Sequence, residues 1–343
     1  MPDYIGEHID RLVTTELKNR GMPHGFLIEL YECARREAGG RPLTTLAAEG
    51  LVRSVGKGDT VFLMTGAGYP PHMPKGESDG PPGAAALARA LYWGLGAVPV
   101  YVCEATHADP IIASSEAAHI MVKDFADARD LRLGAAIATA PSSSAEVAEW
   151  ARAIYDEYRP KALISIERLG PNEHGFINSA TGWTIGEETG IVDLTPVVTE
   201  AEERGVFSIG TGDHGNEIGF GRIHDDVKRI MPQGAKSQSG TPGGMATVCK
   251  ADVLIPAMSS NWGAYGVEAA LAYMLKNPDL VHSPEMDRAI VTKCLEAGGL
   301  EAMYCSTKFV VDGCEGESSM AIVQLLGDMV RLNLRDPDVG VAH

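Results

Sequence analysis

The regular alternation of short apolar runs with longer helical patterns is the feature that most restricts how this chain can fold. Helical patterns lie between the runs, as at 83–96 and at 144–160, where Ser144 is a candidate N-cap and Pro160 a stop signal. Strands that alternate with helices form βαβ units, and strands that are apolar throughout are buried on both faces. The sequence therefore predicts an α/β fold, with an open, mostly parallel twisted sheet and helices on both faces. The predicted strands are 60–66, 97–105, 118–122, 134–140, 162–170, 206–212 and 251–261.

The N-terminal residues carry a separate helical pattern. Ile9, Leu12 and Val13 share one face of a predicted amphipathic helix. A chain of 343 residues has room for one large domain or two modest ones. We expect an N-terminal helical arm over residues 1–44 and a single α/β domain over residues 45–343.

Charge and composition exclude several classes of protein. The formal net charge is −17 and no cluster of Lys and Arg is interleaved with aromatic residues, so we expect no nucleic acid or membrane partner. No apolar run approaches the roughly 18 residues that a membrane-spanning helix needs. The six Cys residues form no CxxC pair, and the acidic N-terminus is unlike a secretory signal. We therefore expect a cytoplasmic location, and we expect a homodimer only because dimers are frequent among soluble proteins.

Polar residues gather where the predicted strands end. In an open α/β sheet, ligands bind outside the carboxyl ends of the strands. The sequence therefore predicts one active site along that edge of the sheet. The residues at these ends are Thr65, Gly66, Glu104, Thr139, Glu167, Arg168, Asp213, Ser259, Ser260 and Asn261.

The stretch IGTGDHGNEIGFGRI holds five glycines and several polar residues directly after a predicted strand. Its G-T-G-D-H-G matches the spacing of a dinucleotide-binding loop, but Asp213 puts a carboxylate where the pyrophosphate would lie. Asp213 and Glu217 share one face if the segment is helical, and with Asn216 they offer oxygen ligands for Mg²⁺ or Mn²⁺. Two other interpretations stay open: one carboxylate acts as a base beside a bound amine, or both are solvated loop charges.

Three further stretches each allow a structural or a functional interpretation. Glu167 and Arg168 form either a local ion pair or part of the site. Asp79 either caps the helix that follows it or, with Glu77, lies near the substrate. In SSNWGAYG, Asn261 and Trp262 can orient a ligand, although the indole of Trp262 can equally belong to the core. The glycine that follows them allows a ligand to approach the backbone closely.

Five stretches in this order resemble the D-glutamate cyclase family, specifically its C-terminal cyclase domain. They are TGAGYPP, GESDGPPGAAALARAL, SIERLGPN, FSIGTGDHGNEIGFG and SSNWGAYG, and the similarity runs from about residue 45 to about residue 335. The resemblance implies a lyase that converts D-glutamate to 5-oxo-D-proline with loss of water. It also implies a divalent cation, with Mn²⁺ the first expectation and Mg²⁺ the second.

The family pattern falls on specific positions of this chain. They are Glu77, Asp79, Gly80, Glu167, Arg168, Asn172, Gly212, Asp213, Gly215, Asn216, Glu217, Asn261 and Trp262. Two departures stand out: His214 occupies a position that is usually Gly in the family, and residues 170–174 differ from the commoner form. Both departures bear on the choice of substrate.

The resemblance also implies roles for these side chains. Glu167, Asp213 and Glu217 are expected to bind the cation or to move protons. The remaining expected substrate contacts are Glu77, Asp79, Arg168 on the α-carboxylate, Asn172, His214, Asn216, Asn261 and Trp262. Hydrolysis of a related small lactam is the runner-up activity, because one site catalyses both directions. A non-catalytic metabolite-binding protein and a nucleotide-binding oxidoreductase are further alternatives.

Overall fold

The centre of the computed structural model, which describes residues 1–17 and 24–335, is a six-stranded sheet. Its strand order is β3-β2-β1-β4-β7-β8, and every neighbouring pair is parallel. This confirms the predicted α/β class with a parallel sheet. The strands of this sheet are β1 (Thr60–Thr65), β2 (Val98–Glu104), β3 (Ala136–Ala140), β4 (Ala162–Ile166), β7 (Phe207–Gly212) and β8 (Val253–Pro256).

Two small antiparallel hairpins and a set of helices surround this sheet. One hairpin pairs β5 (Ile177–Asn178) with β6 (Thr184–Ile185), and the other pairs β9 (Val310–Val311) with β10 (Cys314–Glu315). The helices are α1 (Asp3–Val13), α2 (Phe26–Glu37), α3 (Leu43–Ser54), α4 (Pro81–Ala90), α5 (Ala108–Ala117), α6 (Phe125–Asp130), α7 (Ser144–Tyr158), α8 (Thr195–Glu203), α9 (His224–Ile230), α10 (Ser260–Met274), α11 (Pro284–Glu296) and α12 (Gly316–Leu334). No helix among the described residues is long and apolar enough to cross a membrane.

Alternate side chains of the central strands pack into two cores on opposite faces of the sheet. Val61 and Leu63 of β1 join the larger core, to which α1 to α4, α10 and α12 contribute. Phe62 and Met64 join the second core, which α7 and α8 cover. Successive side chains of a strand point to opposite faces, so an all-apolar strand requires cover on both sides. The helices predicted on both faces are therefore present.

The N-terminal helices are packed into the larger core. Ile5, Ile9 and Val13 of α1 and Phe26 and Leu30 of α2 are all buried in it. The amphipathic face predicted for α1 thus lies against the same core as the central strands. The described residues 1–17 and 24–44 therefore contribute directly to the body that surrounds the sheet.

Two local predictions were wrong. Residues 118–122 form no strand, because α5 continues to Ala117 and only an isolated bridge between Val122 and Ala135 remains. The N-cap of α7 is Ser143, whose side chain accepts a hydrogen bond from the N–H of Ala145 at 3.4 Å, while Ser144 begins the helix itself. Both errors arise at element boundaries, where apolar composition alone does not distinguish a strand from a helix end.

The strand order places a topological switch between β1 and β4. Chain connections leave these two neighbouring strands toward opposite sides of the sheet, since β2 lies on one side and β7 on the other. Loops that diverge in this way leave a crevice at the carboxyl ends of the strands, where doubly wound proteins bind their ligands. The fold therefore positions a site beside the residues that follow β1 and β4.

A fully buried ionic network joins α10 to α11 away from this crevice. His282 Nδ1 lies 2.6 Å from Glu268 Oε2 and its Nε2 lies 3.7 Å from Asp287 Oδ1. The Tyr265 hydroxyl donates to the same Asp287 oxygen at 2.8 Å. Burial alone would lower the pKa of His282, but the charges and hydrogen bonds of Glu268 and Asp287 raise it from 6.5 to about 9.

This network predicts that stability falls as the pH rises through the range 6.5 to about 9. The imidazolium keeps its proton in the folded protein after the unfolded chain has lost it, so its stabilisation is full below 6.5 and is lost as the pH passes about 9. The loss is on the order of 3 kcal/mol. Urea denaturation across this range measures it, with the exposed His8→Gln variant as control. An equally steep decline in His282→Gln as in the wild type would contradict the assignment.

Candidate active site

A cavity of about 220 Å³ lies at the carboxyl ends of β1, β4 and β7. Among the described residues that line it there is no Lys and no Arg. Its size suits a metabolite as small as an amino acid and is far too small for a dinucleotide. The carboxyl groups in its wall are those of Glu77, Asp79, Glu167, Asp213, Glu217 and Asp312.

Three of these carboxyl groups converge on one point. One oxygen from each of Asp79, Glu167 and Asp213 lies within 4.8 Å of the corresponding oxygens of the other two, and all three residues are buried. They come from the loops after β1, β4 and β7, which meet only because those strands lie together at the switch. Oxygen ligands at such spacing suit a hard divalent cation, so these residues fit the group that the sequence predicts.

Two helices begin beside this carboxylate cluster, and the start of each donates hydrogen bonds to a residue at the start of the other: Asp79 before α4 and Asn261 in the first turn of α10. The carboxylate of Asp79 accepts hydrogen bonds from the N–H groups of Ser260 and Asn261 in the first turn of α10, each at 2.8 Å. Asn261 Oδ1 accepts in turn from Gly80 at 2.9 Å and from Gly83 at 2.7 Å, at the start of α4. Asp79 was expected to cap the helix that follows it or to contact substrate. Its carboxylate caps α10, and it also lies in the cavity wall.

Small residues make this reciprocal capping sterically feasible. A Cβ on Gly83 would lie 2.8 Å from Cα of Asn261, closer than real Cβ atoms approach a backbone. The positive ends of both helix dipoles therefore lie beside the carboxylates, where they favour negative charge.

Glu167 is held in a strained conformation directly after β4. Its φ of 48° lies in the left-handed region, which a residue with a side chain rarely adopts. Its Oε2 accepts a hydrogen bond from the Ser260 hydroxyl at 2.6 Å. Complete burial, followed by the nearby charges of Asp213 and Glu217, raises the pKa of Glu167 well above its ordinary value. Strain and a perturbed pKa at the same residue are typical of functional positions.

Asp213 and Glu217 are brought together by a turn, whereas the sequence suggested a shared helix face. The Glu217 carboxylate accepts from the N–H groups of His214 at 3.2 Å and Gly215 at 2.8 Å, which closes the turn over itself. Gly212 permits this folding, since a Cβ there would lie 2.7 Å from Cβ of Glu217. Burial and the neighbouring Asp213 raise the pKa of Glu217 well above its ordinary value.

The guanidinium of Arg168 is turned away from the cavity wall. It makes a bidentate pair with Glu104, at 2.6 and 2.7 Å, and donates to the carbonyl oxygens of Gly66 at 3.0 Å and Val192 at 2.6 Å. Burial would raise the pKa of Glu104, but the charge of Arg168 and a hydrogen bond from His107 outweigh it and hold that pKa well below its usual range. Arg168 thus joins the segments after β1 and β4 to the end of β2, and it is not among the residues that line the cavity.

The expected asparagine and tryptophan contacts are divided between the cavity and its surroundings. Asn216 lies in the cavity wall. Asn172 instead shapes its own loop, because its Oδ1 accepts from His174 and Phe176. Trp262 is buried in the larger core and donates its indole N–H to Ser319 at 3.2 Å.

Two further wall residues are Asp312, which is not among the site residues expected from the sequence, and His214, which is. Asp312 comes from the tip of the β9–β10 hairpin, far along the chain from the sheet edge. The only sequence signal was an Asp-Gly pair after a short apolar run, which predicts a turn but not its location. The ring of His214 stacks on Phe26 of α2, and its Nδ1 contacts an Asp213 carboxylate oxygen.

The fold and the site together define a class: a doubly wound α/β protein with a carboxylate-lined cavity at its topological switch. The model of the family described as D-glutamate cyclase-like, C-terminal, matches residues 9–327. The chain therefore belongs to the D-glutamate cyclase-like family.

One relative and two solved structures are also similar to this chain. The chain is 30% identical over 242 residues to "D-glutamate cyclase, mitochondrial" of Homo sapiens. This alignment covers 67% of this chain and 35% of that protein. The chain thus spans about a third of the length of this relative. Two solved structures described as "SPT with PLP" align at 11% identity and a TM-score of 0.21, over 97% and 96% of this chain and 85% of each of those chains. A likeness this low carries no structural argument.

The geometry around Arg168 predicts a structural effect of its removal. Arg168→Met leaves the Glu104 carboxylate buried without its partner and should destabilise the protein by roughly 3–5 kcal/mol. The double variant Glu104→Gln with Arg168→Met should recover part of that loss, because no unpaired charge remains. Urea denaturation of the full cycle measures both, and Arg129→Met, at an exposed ion pair, is the matched control. A stable Arg168→Met protein with only a raised KM would instead favour a substrate contact.

Proposed function

We propose that this protein is a cation-dependent lyase that closes D-glutamate, or a closely related small amino acid, to 5-oxo-D-proline with loss of water. The observation that carries the proposal is the convergence of buried Asp79, Glu167 and Asp213 within 4.8 Å in a metabolite-sized cavity. Membership of the D-glutamate cyclase-like family supports the reaction class.

The charge of the cavity supports the cation requirement. Six carboxyl groups line it, and the described wall residues include no Lys or Arg to receive a substrate carboxylate. A glutamate molecule carries two carboxylates of its own, so its entry into this wall without a counter-charge is electrostatically unfavourable. Asp79, Glu167 and Asp213 would hold a divalent cation, with Mn²⁺ the first choice and Mg²⁺ the second. When bound, such a cation supplies positive charge that neutralises carboxylate oxygens of substrate and product.

The side chains of the cavity divide the remaining work of ring closure. The reaction joins the substrate's amine nitrogen to its γ-carboxyl carbon and releases one oxygen of that carboxyl group as water. Two protons must leave the ammonium nitrogen, and two must reach the departing oxygen. Glu217, buried beside Asp213, accepts each proton from the nitrogen and passes it to that oxygen. The backbone N–H groups of His214 and Gly215 donate hydrogen bonds to Glu217 and hold its carboxyl group in place between these transfers. The hydroxyl of Ser260 orients Glu167 through its 2.6 Å hydrogen bond.

The opposite direction, hydrolysis of a related small lactam, is the second candidate function. It is favoured by the absence of Lys and Arg from the described cavity wall, because a neutral cyclic amide enters without the charge repulsion that glutamate meets.

The primary test is turnover of purified protein with defined cations. D-glutamate with Mn²⁺ should give 5-oxo-D-proline, detected by chiral chromatography, and chelation should abolish the product. L-glutamate, 5-oxoproline of both configurations and a small panel of lactams complete the assay. Turnover of a lactam other than 5-oxoproline, with none of either glutamate, would replace the cyclase assignment by the hydrolase.

The carboxylate variants test the division of roles. Asp213→Asn, Glu167→Gln and Glu217→Gln should each lower kcat/KM by at least about 100-fold, because each removes a charge or a proton carrier without changing shape. Asp213→Asn and Glu167→Gln should also weaken Mn²⁺ binding in calorimetry, whereas Glu217→Gln should retain it. Glu173→Gln is the matched control, since Glu173 lies in the loop after β4 but is exposed and outside the cavity wall. Folded variants that keep full turnover would defeat the proposal.

A further inference from the structure

The side chain of His214 lies in the cavity wall. Its ring is parallel to that of Phe26 within 17°, with the ring centroids 5.7 Å apart. Phe26 begins α2 and is itself buried in the larger core. The imidazole therefore has a defined plane, and its nitrogens have fixed directions in the cavity.

The imidazole belongs to a second group of potential ligands beside the first cluster. One nitrogen of His214 and one carboxylate oxygen from each of Asp213 and Asp312 lie within 4.8 Å of one another, and all three residues are buried. Ligands of a single ion at roughly 2.0–2.2 Å lie at most about 4.4 Å apart. The three atoms therefore lie about as close together as the ligands of one cation, and the direct contact between His214 and Asp213 would open to admit it.

An independent feature of the same cavity also points to a ligand. Asn216 lines the cavity and is 2% exposed. Its Nδ2 donates to the carbonyl oxygen of Asn178 at 3.0 Å, while its buried Oδ1 accepts no hydrogen bond from any described residue. A buried acceptor in this state is explained by an ion or an ordered water that occupies the cavity.

We propose that Asp213, His214 and Asp312 form a cation subsite with one nitrogen and two carboxylate ligands. An imidazole ligand suits borderline first-row cations, whereas Mg²⁺ and Ca²⁺ prefer oxygen ligands. The subsite therefore takes Mn²⁺, Co²⁺ or Zn²⁺ in preference to Mg²⁺ or Ca²⁺. The catalytic meaning of the subsite rests on the proposed function, but its cation binding does not.

Pulsed electron paramagnetic resonance of bound Mn²⁺ tests direct ligation. The full chain, without a histidine tag, should show ¹⁴N modulation that changes to a ¹⁵N pattern when the chain is grown with ¹⁵N-histidine. His214→Gly, which installs the usual family residue, should abolish the modulation. His72→Ala, at an exposed histidine that packs against the wall residue Tyr69, should leave it intact. Bound Mn²⁺ without histidine nitrogen coupling in the wild type would reduce His214 to an ion-pair partner of Asp213 and overturn the subsite.

Calorimetric titration tests the selectivity. His214→Gly should lower affinity for Co²⁺ and Zn²⁺ by at least about 10-fold, the lower end of what loss of a partner near a metal costs. Its effect on Mg²⁺ should be smaller, whereas Asp312→Asn should weaken all three. Equal losses for Mg²⁺ and Co²⁺ in His214→Gly would overturn the selectivity. Nitrogen coupling in a protein that does not convert D-glutamate would sustain the subsite and reject the proposed function, so the two failures are distinguishable.

Discussion

The structure depends on polar groups that stabilise several carboxyl groups in one small, largely buried cavity. Charges removed from water are costly unless polar groups are aimed at them. Backbone N–H groups meet that need here: Asp79 receives those at the start of α10, and Glu217 receives two from its own turn. Ser260 adds a hydroxyl to Glu167. Where such donors are not enough, the pKa of the carboxyl group rises, as it does for Glu167 and Glu217.

The buried ion pair of Arg168 and Glu104 lies outside the cavity wall. The pairing of Arg168 with Glu104 ties together the ends of strands on both sides of the topological switch. The adjacent Glu167 adopts a left-handed φ and turns its carboxyl group toward the cavity, while the Arg168 guanidinium lies among backbone carbonyls. The side chains of these two consecutive residues thus enter different surroundings, because β4 ends at Ile166 and the backbone turns at Glu167.

Local patterns in the sequence predicted the fold and the strand ends that carry Glu167 and Asp213, because apolar periodicity and βαβ alternation are local signals. The cluster itself was predicted only in outline. The direction of the Arg168 side chain depends on Glu104, which lies 64 residues away in the chain. The role of Asp79 as a cap of α10 depends on contacts across 181 residues, and Asp312 reaches the cavity through a separate hairpin. Such long-range contacts leave no periodic trace in the sequence.

Reciprocal capping has a consequence for how this cavity can diverge. Asp79 accepts hydrogen bonds from the start of α10, and Asn261 accepts them from the start of α4. A substitution at either residue therefore disturbs a helix end in another part of the chain. The opposite rim is built from the segment between β5 and β6 and from the hairpin tip at Asp312. Design of new ligand preferences therefore has more freedom at this rim than beside the two capped helix starts.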